Sequence, residues 1–129
     1  MSPSPRPRVL VTEDDQDACD LIEFILNSNG FDVVCTAEAA AALDAARNQA
    51  FDLYLLDNWM PDKSGIDLCR QIREIDLQTP ILFYSGAAFE TDKAQAIESG
   101  AQGYLIKPAS PDGLVAEVRR LLEASKVQT

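Results

Sequence analysis

Phe51-Asp52-Leu53-Tyr54-Leu55-Leu56-Asp57-Asn58-Trp59-Met60-Pro61 is the stretch whose reading decides the fold. A mostly apolar run of strand length ends on a carboxylate and is followed shortly by a proline. Such a run suits a strand buried on both faces of a parallel sheet, although periodicity alone does not separate it from a buried helix segment. Read as a strand, it delivers Asp57 to the edge of an open α/β sheet where ligands usually bind. Two roles are open to an aspartate there. It starts a turn by accepting from the next backbone amides, or it serves as a nucleophile or a metal ligand.

The chain around this stretch has 129 residues, 47% of them hydrophobic, which is one globular domain with a single real core. A net charge of −10 and a pI near 4.3 argue against nucleic acid and anionic membrane as partners, since both reward basic surface. No apolar run reaches the roughly 20 residues of a membrane span. The start, Met1-Ser2-Pro3-Ser4-Pro5-Arg6-Pro7-Arg8, lacks the apolar middle of a signal peptide. Residues 1–7 read as a short disordered tail, 8–125 as the folded unit and 126–129 as a C-terminal tail. Cys19, Cys35 and Cys69 are odd in number and widely spaced, and read as reduced, packed thiols of a cytoplasmic protein. The chain has no histidine, so a Ser-His-Asp triad and a His-ligated metal site are both excluded.

Upstream, Arg8-Val9-Leu10-Val11-Thr12 reads as a buried strand running into Glu13-Asp14-Asp15. Ala18, Leu21, Ile22 and Ile25 then fall on one helical face, and Asn29-Gly30 ends that helix with Gly as a left-handed cap. Phe31 to Cys35 is a second strand, and Thr36 is expected to cap an alanine-rich helix. Downstream, Ser64-Gly65-Ile66-Asp67 has capping-box spacing and opens a helix with Ile66, Cys69, Ile72 and Ile75 as its inner stripe. Pro80 to Tyr84 is a fourth strand closing on Ser85-Gly86. A weaker helix covers about 89–99. Gly103-Tyr104-Leu105-Ile106 is a fifth strand delivering Lys107-Pro108, and Ser110-Pro111 starts the last helix, with Leu114, Val115, Val118, Leu121 and Leu122 as its stripe. Five strand-then-helix units imply a parallel sheet covered by helices on both faces.

In such a sheet the strand ends share one edge, so Glu13, Asp14, Asp57, Ser85 and Lys107 converge from distant parts of the chain. Crowded carboxylates raise one another's pKa unless a cation joins them. Oxygen ligands without Cys or His select a hard ion, and Mg²⁺ takes one or two carboxylates while keeping several waters. A carboxylate beside Mg²⁺, an ammonium and a hydroxyl is equipped to attack phosphorus. Asp57, on the central strand, is the nucleophile candidate, with Asp14 and Glu13 as metal support. Taken singly, each group also has an ordinary role: Glu13-Asp14-Asp15 as helix N-terminal acids, Ser85 as a turn former, Lys107 as a solvated charge.

Val9 to Asp15, Asp57 with Met60-Pro61, Ser85, and Lys107-Pro108, in this order and spacing, resemble the receiver domain of two-component response regulators over about residues 8–125. The resemblance implies a doubly wound, five-stranded parallel sheet of order 2-1-3-4-5, flavodoxin-like in architecture. It implies Asp57 as phosphoacceptor, Glu13 and Asp14 with Asp57 and the Trp59 backbone carbonyl as Mg²⁺ ligands, Lys107 as the phosphate-binding lysine, Ser85 as the switch hydroxyl and Tyr104 as the switch aromatic. Lys107-Pro108 is a candidate cis bond. The implied donor is a histidine kinase or histidine phosphotransfer protein. The implied output is to a protein partner through the face of the fourth helix, fifth strand and fifth helix, with homodimer formation left open. The resemblance further implies a signalling domain that assists its own phosphorylation and dephosphorylation and is otherwise not an enzyme.

This sequence departs from the family pattern at three positions. Serine stands at 85 where threonine is commoner, glycine at 86 where alanine is usual, and a bulky Trp59 beside the phosphorylation site. Trp59 and Ala87 are expected to hinder the hydrolytic water and lengthen the life of the phosphoryl group. Two rivals fail on residues. A haloacid-dehalogenase-like phosphatase wants a second aspartate where Trp59 stands, and a flavodoxin-like electron carrier would have its flavin phosphate repelled by Glu13-Asp14-Asp15. The serious alternative is a receiver-type interaction module that works without phosphorylation.

Overall fold

The computed structural model describes residues 6–87 and 89–127. Five strands, β1 (Arg8–Thr12), β2 (Asp32–Thr36), β3 (Leu53–Leu56), β4 (Ile81–Ser85) and β5 (Gly103–Ile106), alternate with five helices. These are α1 (Gln16–Ser28), α2 (Ala39–Asn48), α3 (Gly65–Ile75), α4 (Glu90–Ser99) and α5 (Pro111–Val127). The strands form one parallel sheet of order β2-β1-β3-β4-β5. The central run is thus a strand, and all four β3 residues are buried, as burial on both faces requires.

Alternation along the strands feeds two cores. Leu10, Tyr54, Leu56, Ile81 and Phe83 face one side, where α2, α3 and α4 bring Ala42, Leu43, Leu68, Cys69, Ile72 and Ala96. Val9, Val11, Leu53, Leu55 and Leu82 face the other, against Ile22 and Leu26 of α1 and Leu114, Val115, Val118 and Leu121 of α5. Fully burying each such side chain is worth about 1.5–3 kcal/mol. This double cover clamps the strands, so the positions of their carboxyl-terminal ends are fixed by packing. The register pairs Thr12 with Leu56 and Ser85 with Ile106, which brings Glu13 beside Asp57 and Lys107 to the same edge.

Several local expectations need correction. On α1 the buried stripe is Cys19, Ile22 and Leu26, while Leu21 is 59% exposed. On α3, Leu68 takes the inner place expected of Ile75, which ends the helix and is exposed. Thr36 does not cap α2; its hydroxyl donates to the Val11 carbonyl at 3.3 Å. Cys19 and Cys35 are not free thiols: they are joined as a disulfide between α1 and β2, with Cα atoms 6.5 Å apart. The α1–β2 turn brings them together, which their spacing of 16 did not reveal. Cys69 is the buried free thiol.

The expected caps at Ser64 and Ser110 form, with each hydroxyl accepting from the amide three residues on. Gly30 takes the left-handed conformation, φ 96°, just past the end of α1. At the expected tails, Arg6 is held by the Asn27 and Phe31 carbonyls and by Asp32, and α5 continues to Val127. The rest of those tails, residues 1–5 and 128–129, lies outside the described residues. No helix among the described residues is long and apolar enough to cross a membrane.

Candidate functional site

The carboxyl ends of β1, β3 and β5 converge on an acidic bowl. Carboxylate oxygens of Glu13, Asp14 and Asp57 lie within 4.8 Å of one another. Lys107 Nζ donates to Glu13 Oε2 at 2.5 Å and stands 3.5 Å from Asp57 Oδ2. Backbone bonds hold each strand end in place: the Glu13 amide donates to the Thr36 carbonyl, Asp57 to Thr12, and Lys107 to Ser85. The Asp15 amide donates to Glu13 Oε1 at 3.2 Å, and the Asp15 side chain caps α1 by accepting from the Asp17 amide. The acidic triplet therefore divides its labour, with two residues in the bowl and the third on the helix.

Electrostatics in the bowl are dominated by burial and imbalance. Glu13 is buried, which pushes its carboxyl upward, with the Asp57 charge acting in the same sense and the Lys107 and Asp15 donors opposing. Burial acts to lower the Lys107 pKa, but its bond to Glu13 and the charges of Asp57 and Glu13 outweigh that and raise it. Three carboxylates face one ammonium, leaving two negative charges in excess when all are ionised. An oxygen-only donor set with that excess fits a hard divalent cation. The Lys107 chain also passes over the Tyr84 ring, with Nζ 5.5 Å from the centroid, and the Lys107–Pro108 bond is cis.

The remaining expected groups stand around this bowl rather than in it. Ser85 ends β4 fully buried, and its Oγ accepts from the Ala87 amide at 3.2 Å. Tyr104 on β5 stacks on Phe83 with centroids 5.9 Å apart, and its hydroxyl donates to the Ala87 carbonyl at 2.6 Å. Burial raises the Tyr104 pKa. Ser85 and Tyr104 thus bind the same loop residue from two strands. Trp59 lies on the β3–α3 loop with its side chain exposed, where a lone antiparallel bridge pairs it with Ser64.

Two residues that sequence reasoning missed shape that loop. Gly65, read only as part of a cap, donates its amide to the Asn58 carbonyl at 2.8 Å and packs against the Asp57 backbone. A Cβ there would lie 2.2 Å from the Asp57 carbonyl oxygen. Asp62 caps α2 from a distance, accepting from the Ala39 and Ala40 amides at 2.9 and 3.0 Å. The Ser64-Gly65 pair was a visible signal for the first; the second had none, because its partners lie more than 20 residues away.

A doubly wound sheet with an oxygen-only acidic bowl and a lysine at its carboxyl edge is the architecture of a phosphoryl-accepting signalling domain. The family model of the response regulator receiver domain matches residues 9–119, and the chain belongs to that family, the receiver domains of two-component response regulators. It is 37% identical to the transcriptional regulatory protein CreB of Escherichia coli (strain K12) over 121 residues, 94% of this chain and 53% of CreB. It is 33% identical to the alkaline phosphatase synthesis transcriptional regulatory protein PhoP of Bacillus subtilis, over 93% of this chain and 50% of that protein. The chain spans about half the length of these curated relatives. Among solved structures, a CheY-like receiver domain protein from Methanospirillum hungatei JF-1 aligns with a TM-score of 0.92 at 25% identity, covering 96% of this chain and 99% of that one.

Proposed function

We propose that Asp57 is the phosphoacceptor of this receiver domain, taking a phosphoryl group from a phosphohistidine on a histidine kinase or histidine phosphotransfer protein. The convergence of Glu13, Asp14, Asp57 and Lys107 at one sheet edge carries this reading. In the transfer, an Asp57 carboxylate oxygen bonds to phosphorus as the donor's P–N bond breaks, and the bond's electron pair returns to the imidazole. Lys107 is poised to follow the charge, since its ammonium already lies between Glu13 and Asp57. Glu13, Asp14, Asp57 and the Trp59 carbonyl would hold Mg²⁺, which when bound neutralises phosphoryl oxygens during transfer.

The Ser85 hydroxyl turns from the Ala87 amide toward the phosphoryl group. Because Tyr104 is bonded to the Ala87 carbonyl, that loop movement releases or resets the Tyr104 ring and repacks the α4–β5–α5 face for a protein partner. The chain acts in the cytoplasm as a unit of residues 8–125, without nucleic acid or membrane as direct partners. Homodimerisation through the same face is one form the output can take.

The test is incubation with a small acyl phosphate and Mg²⁺, followed by intact mass. The protein gains one phosphoryl group, Asp57→Asn gains none, and omission of Mg²⁺ abolishes the gain. An unmodified parent protein would leave an interaction module that works without phosphorylation.

A further inference from the structure

The β3–α3 loop leaves the acidic bowl at Asp57 and carries Trp59, yet its internal ties are few: the Trp59–Ser64 bridge and the Gly65–Asn58 bond. Its tip is anchored from outside at three points. Met60 is buried with Ala39, Ala42 and Leu43 in the core, and Lys63 Nζ donates to Gln71 Oε1 of α3 at 2.7 Å. The third is the two-pronged contact of Asp62 with the first two amides of α2. Helix α2 depends on it, because its own N-cap residue, Glu38, makes no side-chain capping bond. One carboxylate thus serves two elements at once. It satisfies orphan donors at the start of a helix, and it fastens the loop to a helix whose inner face is packed into the core.

We propose that Asp62 is a positioning residue for the phosphorylation site, tying the β3–α3 loop to α2 so that the Trp59 carbonyl, the Mg²⁺ ligand proposed above, is held in place. The inference rests on the phosphoacceptor reading above and extends it to a residue that touches none of the reacting atoms. The amides of Ala39 and Ala40 hold the Asp62 carboxyl below the usual aspartate range, so the tie is ionised under physiological conditions. Loss of the tie leaves Asp57 itself at the end of β3, a strand clamped by both cores, with its amide bonded to the Thr12 carbonyl. The deficit therefore falls on cation affinity rather than on the intrinsic transfer step. Groups that orient a ligand without touching the metal typically account for 10–100-fold in affinity or activity.

Trp59, the chain's single tryptophan, reports cation binding directly through its fluorescence. Asp62→Ala raises the half-saturating Mg²⁺ concentration roughly tenfold, both in fluorescence and in phosphorylation by a small acyl phosphate. The phosphorylation rate recovers at saturating Mg²⁺. Asp62→Asn, which keeps one acceptor oxygen, falls between. Glu38→Ser combined with Asp62→Ala supplies α2 with a local cap, so it recovers thermal stability but not Mg²⁺ affinity. The positioning role is overturned if Asp62→Ala and Asp62→Asn bind Mg²⁺ like the parent, or if the double variant regains affinity along with stability, the result of a mere helix cap. A parent protein that neither responds to Mg²⁺ nor gains a phosphoryl group overturns the phosphoacceptor reading, and this inference with it.

Discussion

Replacing Gly65 with alanine sets two effects of opposite sign against each other. Gly65 is the first residue of α3 and does not have a positive φ. On backbone preference alone, alanine gains up to about 1 kcal/mol over glycine in a helix. Sterically the added methyl has nowhere to go. It would sit 2.2 Å from the Asp57 carbonyl oxygen and 3.0 Å from both Asn58 Cα and Phe83 Cε2. Two of these three are backbone atoms, and the third belongs to a buried ring. Opening the closest contact even to 3.0 Å moves backbone by about 0.8 Å, and an ordinary contact of about 3.5 Å needs more.

Overpacking of that kind costs about 1–3 kcal/mol, so the net stability change is a loss despite the helix preference. The larger consequence is chemical, because the displaced backbone is that of the proposed nucleophile. A misplacement near 1 Å costs roughly 100-fold in rate. The assay pairs a urea melt with the time course of phosphorylation by a small acyl phosphate at saturating Mg²⁺. Gly86→Ala is the stability comparison: its Cβ meets nothing within 4 Å and its φ is not positive, so it is neutral or stabilising by about 0.4–1 kcal/mol. If Gly65→Ala matches or exceeds the parent in stability and is phosphorylated at the parent rate, the close approach of α3 to Asp57 is not what fixes the site.

Three further outcomes are expected. Trp59→Asn speeds loss of the phosphoryl group about tenfold, a barrier change of roughly 1.4 kcal/mol, as the exposed ring on the loop that follows Asp57 gives way to a smaller polar group that admits water; an unchanged decay rate rules this shielding out. Asp76 is partly buried, which would raise its pKa, but donors from Thr79, Gln78 and Tyr54 prevail and lower it. A lowered folded-state pKa gives stability that is present above the unfolded value and lost as pH falls through the folded one. The parent therefore loses stability below about pH 4, and Asp76→Asn, weaker at neutral pH by about 1–3 kcal/mol, has a flatter acid limb in urea melts; parallel limbs contradict the assignment. Protein prepared without reductant and then denatured titrates a single thiol, Cys69, with Cys19 and Cys35 joined. Reduction exposes all three and lowers stability by about 3 kcal/mol for a loop of this size, and three reactive thiols before reduction would refute the pairing.

What the sequence made legible and what it hid follow a physical division. Leu53 to Leu56 declared a doubly buried strand because burial on both faces leaves an unbroken apolar run. Once the strands were parallel, Glu13, Asp57, Ser85 and Lys107 had to share an edge, so the candidate site followed from strand ends alone. Relations that run sideways between elements had no such marker. Leu21 and Ile75 fit a helical period but sit just off the stripe that faces the sheet, because the docking angle of a helix is set by its neighbours and not by its own spacing. Cys19 and Cys35 meet because α1 turns back along β2. Asp62 reaches α2 across a loop whose own residues say only that a turn is present. Thr36 looked able to start α2 locally, yet the helix takes its cap from the β3–α3 loop. A cap supplied locally would stabilise α2 alone, whereas one supplied by Asp62 makes the helix and the loop depend on each other. That dependence is why a substitution outside the acidic bowl is expected to change how the bowl binds a cation.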